Sequence, residues 1–377
     1  MTPDHSTAST DDFRWMAHAL QLAEQGLYTT TPNPRVGCVI VKQGQLVGQG
    51  WHRKAGEPHA EVLALREAGE QARGATAYVT LEPCSHYGRT PPCADALIQA
   101  GLCRIVIAMQ DPNPLVSGQG IARLNAAGIA TVSGVLEQPA RELNRGFISR
   151  MTRQRPWLTV KTASSLDGRT ALANGDSQWI TGEAARRDGH RWRARSCAVL
   201  TGIGTVLADD PQLNVRGIEA PRQPDRIVLD THLRTPPTAR ILQAERCVIV
   251  HGEQAPKANA QRLADQGAIL LPAPLTSNAR LDLTAVLHLL AGQGYNEILS
   301  EAGASLNGAF LTAGLADEWL GYLAPSLLGN TARGLFDWPA LDNLNQQIRL
   351  HVQDIARIGN DWRIICRLPA PQSEQVA

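Results

Sequence analysis

Apolar positions first repeat at helical spacing and then give way to short β-branched runs. The opening ten residues are small and polar, a composition expected to be disordered. From Asp11 onward, Phe13, Met16, Ala17, Leu20 and Ala23 fall at helical spacing. The prolines of Thr31-Pro-Asn-Pro34 end that pattern. Val36–Val41 reads as a strand, with a turn at Gln43-Gly44 and a returning strand over Leu46–Gly50. Glu57-Pro58-His59 opens a helix carrying Ala60, Leu63, Ala64 and Ala68. A strand over Ala77–Leu81 runs into Glu82-Pro83-Cys84. Pro91-Pro92-Cys93 opens a helix through Ala100, and Arg104–Ala108 is a further strand. The alternation continues through Val135 and predicts a three-layer α/β domain.

Residues 138–156 are polar, basic and poorly periodic in their second half, and the domain boundary is placed there. A strand restarts at Trp157–Lys161. Short apolar runs follow at Ala198–Leu200, Arg226–Asp230, Cys247–Val250, Ala268–Leu271 and Glu297–Ser300, with helical and Pro/Gly segments between them. A second α/β domain follows from this. The expected domains span residues 11–150 and 155–370, and the Pro369–Ala377 tail is expected to be loose. The length of 377 residues agrees with two cores rather than one.

Thirty-six Lys and Arg balance thirty-five Asp and Glu, and only four Phe occur. A dedicated nucleic-acid binder shows a basic surplus and stacking aromatics, so that class is disfavoured. No run reaches the roughly 18 apolar residues of a membrane span, and the polar opening residues are not expected to act as a signal peptide. Seven dispersed cysteines imply the reducing cytoplasm, where paired thiols signal metal or catalysis more than disulfides.

The sharpest chemistry is His59-Ala-Glu61 followed by Pro83-Cys84 and Pro92-Cys93. A catalytic zinc takes three protein ligands and keeps a fourth position for water, whose pKa falls to about 7. Helix starts at His59 and Cys93 would converge the ligands and favour thiolate. Glu61, two residues from His59, can face the pocket without ligating and carry a proton from water to the ring nitrogen and then to the leaving amine. The zinc-deaminase signature is H-x-E with P-C-x-x-C; here eight residues separate Cys84 from Cys93. Cys103, His52 and His86 are competing ligands, Cys103 being better suited to packing. Cys38, Cys197, Cys247 and Cys366 lie in apolar strand contexts and are expected in the core.

With that insertion, Pro83-Cys-Ser-His-Tyr-Gly-Arg-Thr-Pro-Pro-Cys93 resembles the bifunctional deaminase–reductase family of riboflavin biosynthesis. Thr31–Gly37, His59–Glu61, Lys161–Arg169, Ser177–Thr181, Thr205–Pro211 and Glu301–Gly303 match the same family in order over nearly the whole chain. The resemblance implies an N-terminal cytidine-deaminase-like α/β/α domain and a C-terminal dihydrofolate-reductase-like α/β domain. It implies zinc-dependent deamination of 2,5-diamino-6-ribosylamino-4(3H)-pyrimidinone 5′-phosphate, then NADPH-dependent reduction of the ribosyl chain to ribityl. Substrate contacts fall by motif match on Asn33, His52, Ser177, Arg193, Leu213, Arg216 and Glu301, with His86, Arg89 and Asn113 as further candidates. NADP contacts fall on Ala163, Trp179, Thr205, Asp209 and the loop Gly303, Ala304, Ser305, Leu306, Asn307, Gly308 and Ala309. A homo-oligomer, a dimer favoured, is implied as well.

Read from residues alone, Asn33 also suits an ordinary turn, and His52 a strand end. Arg186, Arg187, Arg191, Arg193 and Arg195 crowd one helical stretch. Arg193 fits the family's phosphate position, and the other four read as surface. Thr201-Gly-Ile-Gly begins like a dinucleotide loop, but Leu207 replaces its third glycine and Ala-Asp-Asp-Pro follows, which excludes a Rossmann reading. Lys161 could orient the sugar or the ring, or be a strand-end surface lysine. Ser326 stands where relatives would carry Lys. Two other readings remain: a tRNA-type nucleic-acid deaminase with an appended domain, and a structural zinc protein with a cofactor-binding sensor domain.

Overall fold

The computed structural model describes residues 8–85 and 91–369. The chain forms two compact units that meet between Gln154 and Arg155. The first begins with α1 (Thr10–Glu24), β1 (Gly37–Lys42) and β2 (Gln45–Trp51). It continues with α2 (Ala60–Ala68), β3 (Thr76–Val79), α3 (Cys93–Gln99), β4 (Arg104–Ile107) and α4 (Gln119–Ala126). It ends with β5 (Ala130–Ser133), α5 (Glu137–Leu143) and α6 (Arg145–Arg153). The sheet order is β2-β1-β3-β4-β5. β1 pairs antiparallel with β2 and β3; β3, β4 and β5 run parallel.

Glycines set where two of the helices lie. A Cβ on Gly37 would come 2.0 Å from the Ala19 carbonyl, so α1 rests directly on that face of β1. Gly48 and Gly50 point to the other face, because they pair with Ile40 and Cys38 rather than Gly37. Cβ atoms there would come 2.3 Å from the Ala64 carbonyl and 2.6 Å from that of Ala60. α2 therefore lies backbone against sheet on the side opposite α1, which makes three layers.

α1 is locked by Asp12. Its side chain completes the Ser9 capping box and accepts from Arg104 Nη1 and Nη2 at 2.7 and 2.9 Å and from Tyr78 Oη at 3.1 Å. Burial raises the Asp12 carboxyl, but the hydrogen bonds of Arg104 and Ser9 and the Arg104 charge outweigh it and hold the pKa at about 2. A carboxyl depressed in the folded state stabilises above its unfolded pKa of about 4 and loses that contribution as pH falls toward about 2. Asp12→Ala takes from the half-buried Arg104 its buried anion and is expected to cost about 3 kcal/mol. Urea unfolding at pH 7 should show the loss, and the gap from the parent protein should narrow below pH 4. An unchanged midpoint would refute this role.

Two expectations are corrected here. Phe13 is 47% exposed rather than on the buried face of α1, which carries Met16, Leu20 and Ala23 inward. The basic stretch placed at the boundary is two helices of the first unit. Asn144 between them exchanges hydrogen bonds with the Arg35 backbone, and Arg150 donates to the Pro32 carbonyl. Phe147, Ile148 and Met151 share one face of α6, a short apolar stripe hidden among arginines.

The second unit opens with β6 (Trp157–Ser165), β7 (Arg169–Ala171), α7 (Glu183–Arg195), β8 (Ala198–Gly202) and α8 (Ile203–Asp209). Next come β9 (Asp225–Leu229), β10 (Cys247–Gly252), α9 (Lys257–Ala264), β11 (Ile269–Ala273) and α10 (Leu283–Gly292). β12 (Glu297–Ser300), α11 (Ala304–Thr312), β13 (Glu318–Ala324), β14 (Arg333–Gly334), β15 (His351–Ile358) and β16 (Asp361–Arg367) complete it. Its main sheet has the order β11-β10-β9-β8-β12-β6-β13-β16-β15. The strands from β11 to β13 run parallel, and β16 and β15 close the edge antiparallel. Cys197, Cys247 and Cys366 are buried here, as Cys38 is in the first unit. Among the described residues no helix is long and apolar enough to cross a membrane.

Candidate functional site

The start of α2 brings two functional side chains together. His59 is its N-cap and Glu61 lies in its first turn. Cys84 follows β3, and Cys93 is the first residue of α3, where its N–H donates to Cys84 Sγ at 3.3 Å. His59 Nδ1 lies 3.2 Å from Cys93 Sγ and 3.7 Å from Cys84 Sγ. Tetrahedral zinc at its usual bond lengths spaces nitrogen and sulfur ligands by about 3.5 Å, so the donor set fits that ion. Among the described residues this group holds three ligands, all within 4.8 Å of one another.

The surroundings bias each group's protonation. A hydrogen bond with Cys93 is the main force driving the Cys84 thiol down, to about 4, and the same bond drives Cys93 up. The hydrogen bond to Cys84 raises His59. Glu61 is buried, and burial raises its carboxyl against the lowering charge of His59.

Asn33 and His52 stand beside this group. The His52 ring lies edge-on to that of His59, with centroids 5.4 Å apart, and is buried. His52 Nδ1 meets the Pro58 carbonyl at 3.2 Å, and its Nε2 meets Asn33 Nδ2 at 3.1 Å. A carbonyl only accepts, so Nδ1 carries the proton and Nε2 accepts from the Asn33 amide. The Asn33 oxygen then faces away from His52. Cys103 is neither in this group nor packed in the core: it is exposed, with Sγ against the Gly74 carbonyl. Asn113 spends its side-chain oxygen on the Leu115 N–H. His86 and Arg89 lie outside the described residues.

In the second unit, β12 ends at Ser300 and delivers Glu301 beside Arg193 of α7. Arg193 donates to both Glu301 oxygens, at 2.5 and 2.9 Å, and to the Asn214 carbonyl at 2.9 Å. Lys161 Nζ on β6 approaches Glu301 at 3.5 Å. Burial raises the Glu301 carboxyl, but the charges of Arg193 and Lys161 hold it well below the usual carboxylate range. The donors of Arg193 are therefore turned to Glu301, whereas Arg216 is exposed and bonded to Asn214 Oδ1. His190 between them is pushed down to about 4 by burial and by the charges of Arg193 and Arg216. The Leu213 side chain is in the core, at a φ of 49°.

The loops after β8 and β12 are neighbours. A Cβ on Gly303 would lie 3.9 Å from Thr205 Oγ1, and one on Gly202 3.2 Å from Leu306. Gly303 caps α11 without a side-chain hydrogen bond, and the N–H groups of Ala304, Ser305 and Leu306 in its first turn have no acceptor within the helix. Asn307 is buried and spent on Ser300 and the Ala302 carbonyl, so it shapes the loop from within. Ser305 hydrogen-bonds the Asp337 carboxylate. Gly308 sits where a Cβ would meet the Asp337 backbone at 2.3 Å, and Ala309 continues the helix. Asp209 is exposed at the end of α8. Ala163 is half-buried two residues beyond Lys161 on β6. Trp179 is 65% exposed, with the Arg186 guanidinium 4.7 Å from its ring centre, and Ser177 is half-buried nearby in sequence. Arg195, read from the sequence as surface, instead pairs with the buried Glu297 at 3.0 Å.

Two family models divide the chain along the same lines. Residues 9–109 match the cytidine and deoxycytidylate deaminase zinc-binding region, and residues 156–364 match the RibD C-terminal domain. The riboflavin biosynthesis protein RibD of Escherichia coli K12 is 48% identical over 93% of this chain and 97% of its own. The chain belongs to the RibD family. A solved Acinetobacter baumannii RibD structure covers 95% of this chain and 99% of its own at 48% identity, with a TM-score of 0.88. A Thermotoga maritima structure described as a diaminohydroxyphosphoribosylaminopyrimidine deaminase/5-amino-6-(5-phosphoribosylamino)uracil reductase aligns at 33% identity, with a TM-score of 0.82 and the same coverage. This RibD-family chain is thus a bifunctional protein of riboflavin biosynthesis, joining a zinc-binding deaminase region to a reductase domain. Nothing in these matches favours a tRNA-type deaminase.

Proposed function

We propose that residues 11–150 deaminate 2,5-diamino-6-ribosylamino-4(3H)-pyrimidinone 5′-phosphate and that residues 155–370 reduce the ribosyl chain of the product with NADPH. The carrying observation is the convergence of His59, Cys84 and Cys93 on one point beside the buried Glu61. His59, Cys84 and Cys93 would hold zinc, which when bound would lower the pKa of a water to about 7. Glu61 would move two protons, the first from the attacking water to the ring nitrogen and the second from the resulting hydroxyl to the departing amine, which leaves as ammonia as the carbonyl forms. Asn33, oriented by His52, offers its amide oxygen to an N–H or O–H of the substrate.

NADPH bound in the second unit supplies the hydride. The uncapped start of α11, from Gly303 to Ala309, would hold its pyrophosphate, with Ala163, Trp179, Thr205 and Asp209 as further contacts. Arg193 fixes Glu301 toward the sugar chain, Lys161 braces it, and Ser177 and the backbone at Leu213 complete the substrate contacts. Arg216, exposed beside Asn214, would contact the phosphate in place of Arg193. The activities named for the Thermotoga maritima relative support both steps. Incubation with the diaminopyrimidine nucleotide and NADPH should release ammonia first, and NADPH absorbance should then fall. Ammonia release from RNA but not from the mononucleotide would refute this reading.

The protein is also proposed to be a cytoplasmic homodimer. All seven cysteines are free, which suits a reducing compartment. The β15–β16 ribbon at the sheet edge exposes Val352 and Ile355 at 57% each and Trp362 at 45%. Val352 pairs with Cys366, Ile355 with Ile364, and Arg357 with Trp362, so these apolar residues share one face. An apolar edge of this kind is a self-association surface. Ile355→Asp is expected to halve the mass seen by light scattering. A parent protein that is already monomeric would end the proposal.

A further inference from the structure

We infer that Glu82 is the positioning residue of the zinc ligand Cys84, fastening the ligand-bearing segment to the loop and helix behind it. The inference rests on the zinc reading above. Glu82 is buried three residues past the end of β3 and two before Cys84. Its carboxylate accepts four backbone N–H groups: Asp111 at 3.0 Å and Gly118 at 2.9 Å on Oε2, Gly120 at 2.8 Å and Ile121 at 3.2 Å on Oε1. Its own N–H donates to the Met109 carbonyl. One side chain thus closes both ends of the 111–118 loop and the first turn of α4.

The contact continues into the ligand. A Cβ on Gly120 would lie 2.1 Å from the Pro83 carbonyl, so α4 presses directly on the peptide that precedes Cys84. The Cys84 carbonyl accepts from Ala94 N–H in α3, and the Ser85 carbonyl from Arg123 of α4, which also pairs with Asp95 of α3. Cys84 therefore has no slack of its own. It sits where α3, α4 and the Glu82 clamp place it. Four N–H donors require an acceptor-only group with two oxygens. A glutamine keeps the shape of Glu82 but turns an NH2 toward two of those donors.

Outer partners that orient a metal ligand carry about 10–100-fold in metal affinity. In the full-length protein, Glu82→Gln is expected to raise the zinc dissociation constant 10–100-fold, measured by competition with a chromogenic chelator. The d–d bands of the cobalt-substituted variant should shift, because a displaced Cys84 alters the ligand field. Unaltered affinity and cobalt spectrum in a variant with parental circular dichroism would overturn the inference, even if its melting temperature had dropped. The unmodified protein supplies a second measurement that does not depend on folding of the variant. Coupling is reciprocal, so chelating zinc should speed hydrogen exchange at the Asp111, Gly118, Gly120 and Ile121 amides by 10–100-fold. Unchanged exchange there would also overturn it. A parent protein that binds no zinc would sink the metal assignment itself, a different outcome from parent and variant binding zinc equally.

Discussion

Glu61→Gln is expected to keep its zinc and lose deamination by about 10²–10⁴-fold. Glutamine preserves the volume of the buried side chain but cannot shuttle a proton, and it is not one of the three ligands. NADPH oxidation with chemically prepared deaminated intermediate should continue at the parental rate, because that reaction belongs to the second unit. Metal content, ammonia release and absorbance separate these outcomes in one preparation. Parental ammonia release from the zinc-loaded variant would remove Glu61 from the reaction.

The second large effect is expected at Arg193. Arg193→Ala strips a buried Glu301 of a bidentate partner, leaving Lys161 as the nearer cation at 3.5 Å. Breaking a buried pair on one side costs about 3–5 kcal/mol, and here the cost falls on a carboxylate proposed to contact the substrate. Reductase kcat/KM should fall at least 10²-fold, and the carboxyl of Glu301 should titrate upward, giving a new acidic limb in the pH–rate profile. Deamination should be untouched. Arg216→Ala should instead raise KM with little change in kcat, as expected of a group that holds phosphate in ground and transition states alike. Equal effects of the two substitutions on KM would contradict the division of labour between them.

The zinc site was legible because its signals are local. A Pro before each Cys, a His at a helix start and an acid two residues later depend on neighbours in sequence, and each lands on its expected element. The strands were legible because β-branched runs stand out between turn residues. What was hidden depends on partners far along the chain. Arg193 meets Glu301 across 108 positions and Glu82 meets Ile121 across 39, so neither pairing has a spacing signature. Arg195 looked like one more surface cation until Glu297 was placed beneath it. Helix α6 was masked by its arginines, whose long side chains dilute a stripe of only three apolar residues.

The glycines of β2 carry a meaning beyond packing density. Because the first turn of α2 touches the sheet through bare backbone at Gly50, nothing compressible separates the scaffold from the turn that holds His59 and Glu61. A single methyl group there would act as a wedge between strand and helix and tip imidazole and carboxyl together. His59 and Glu61 thus share one rigid mount, and their mutual alignment is inherited from the strand.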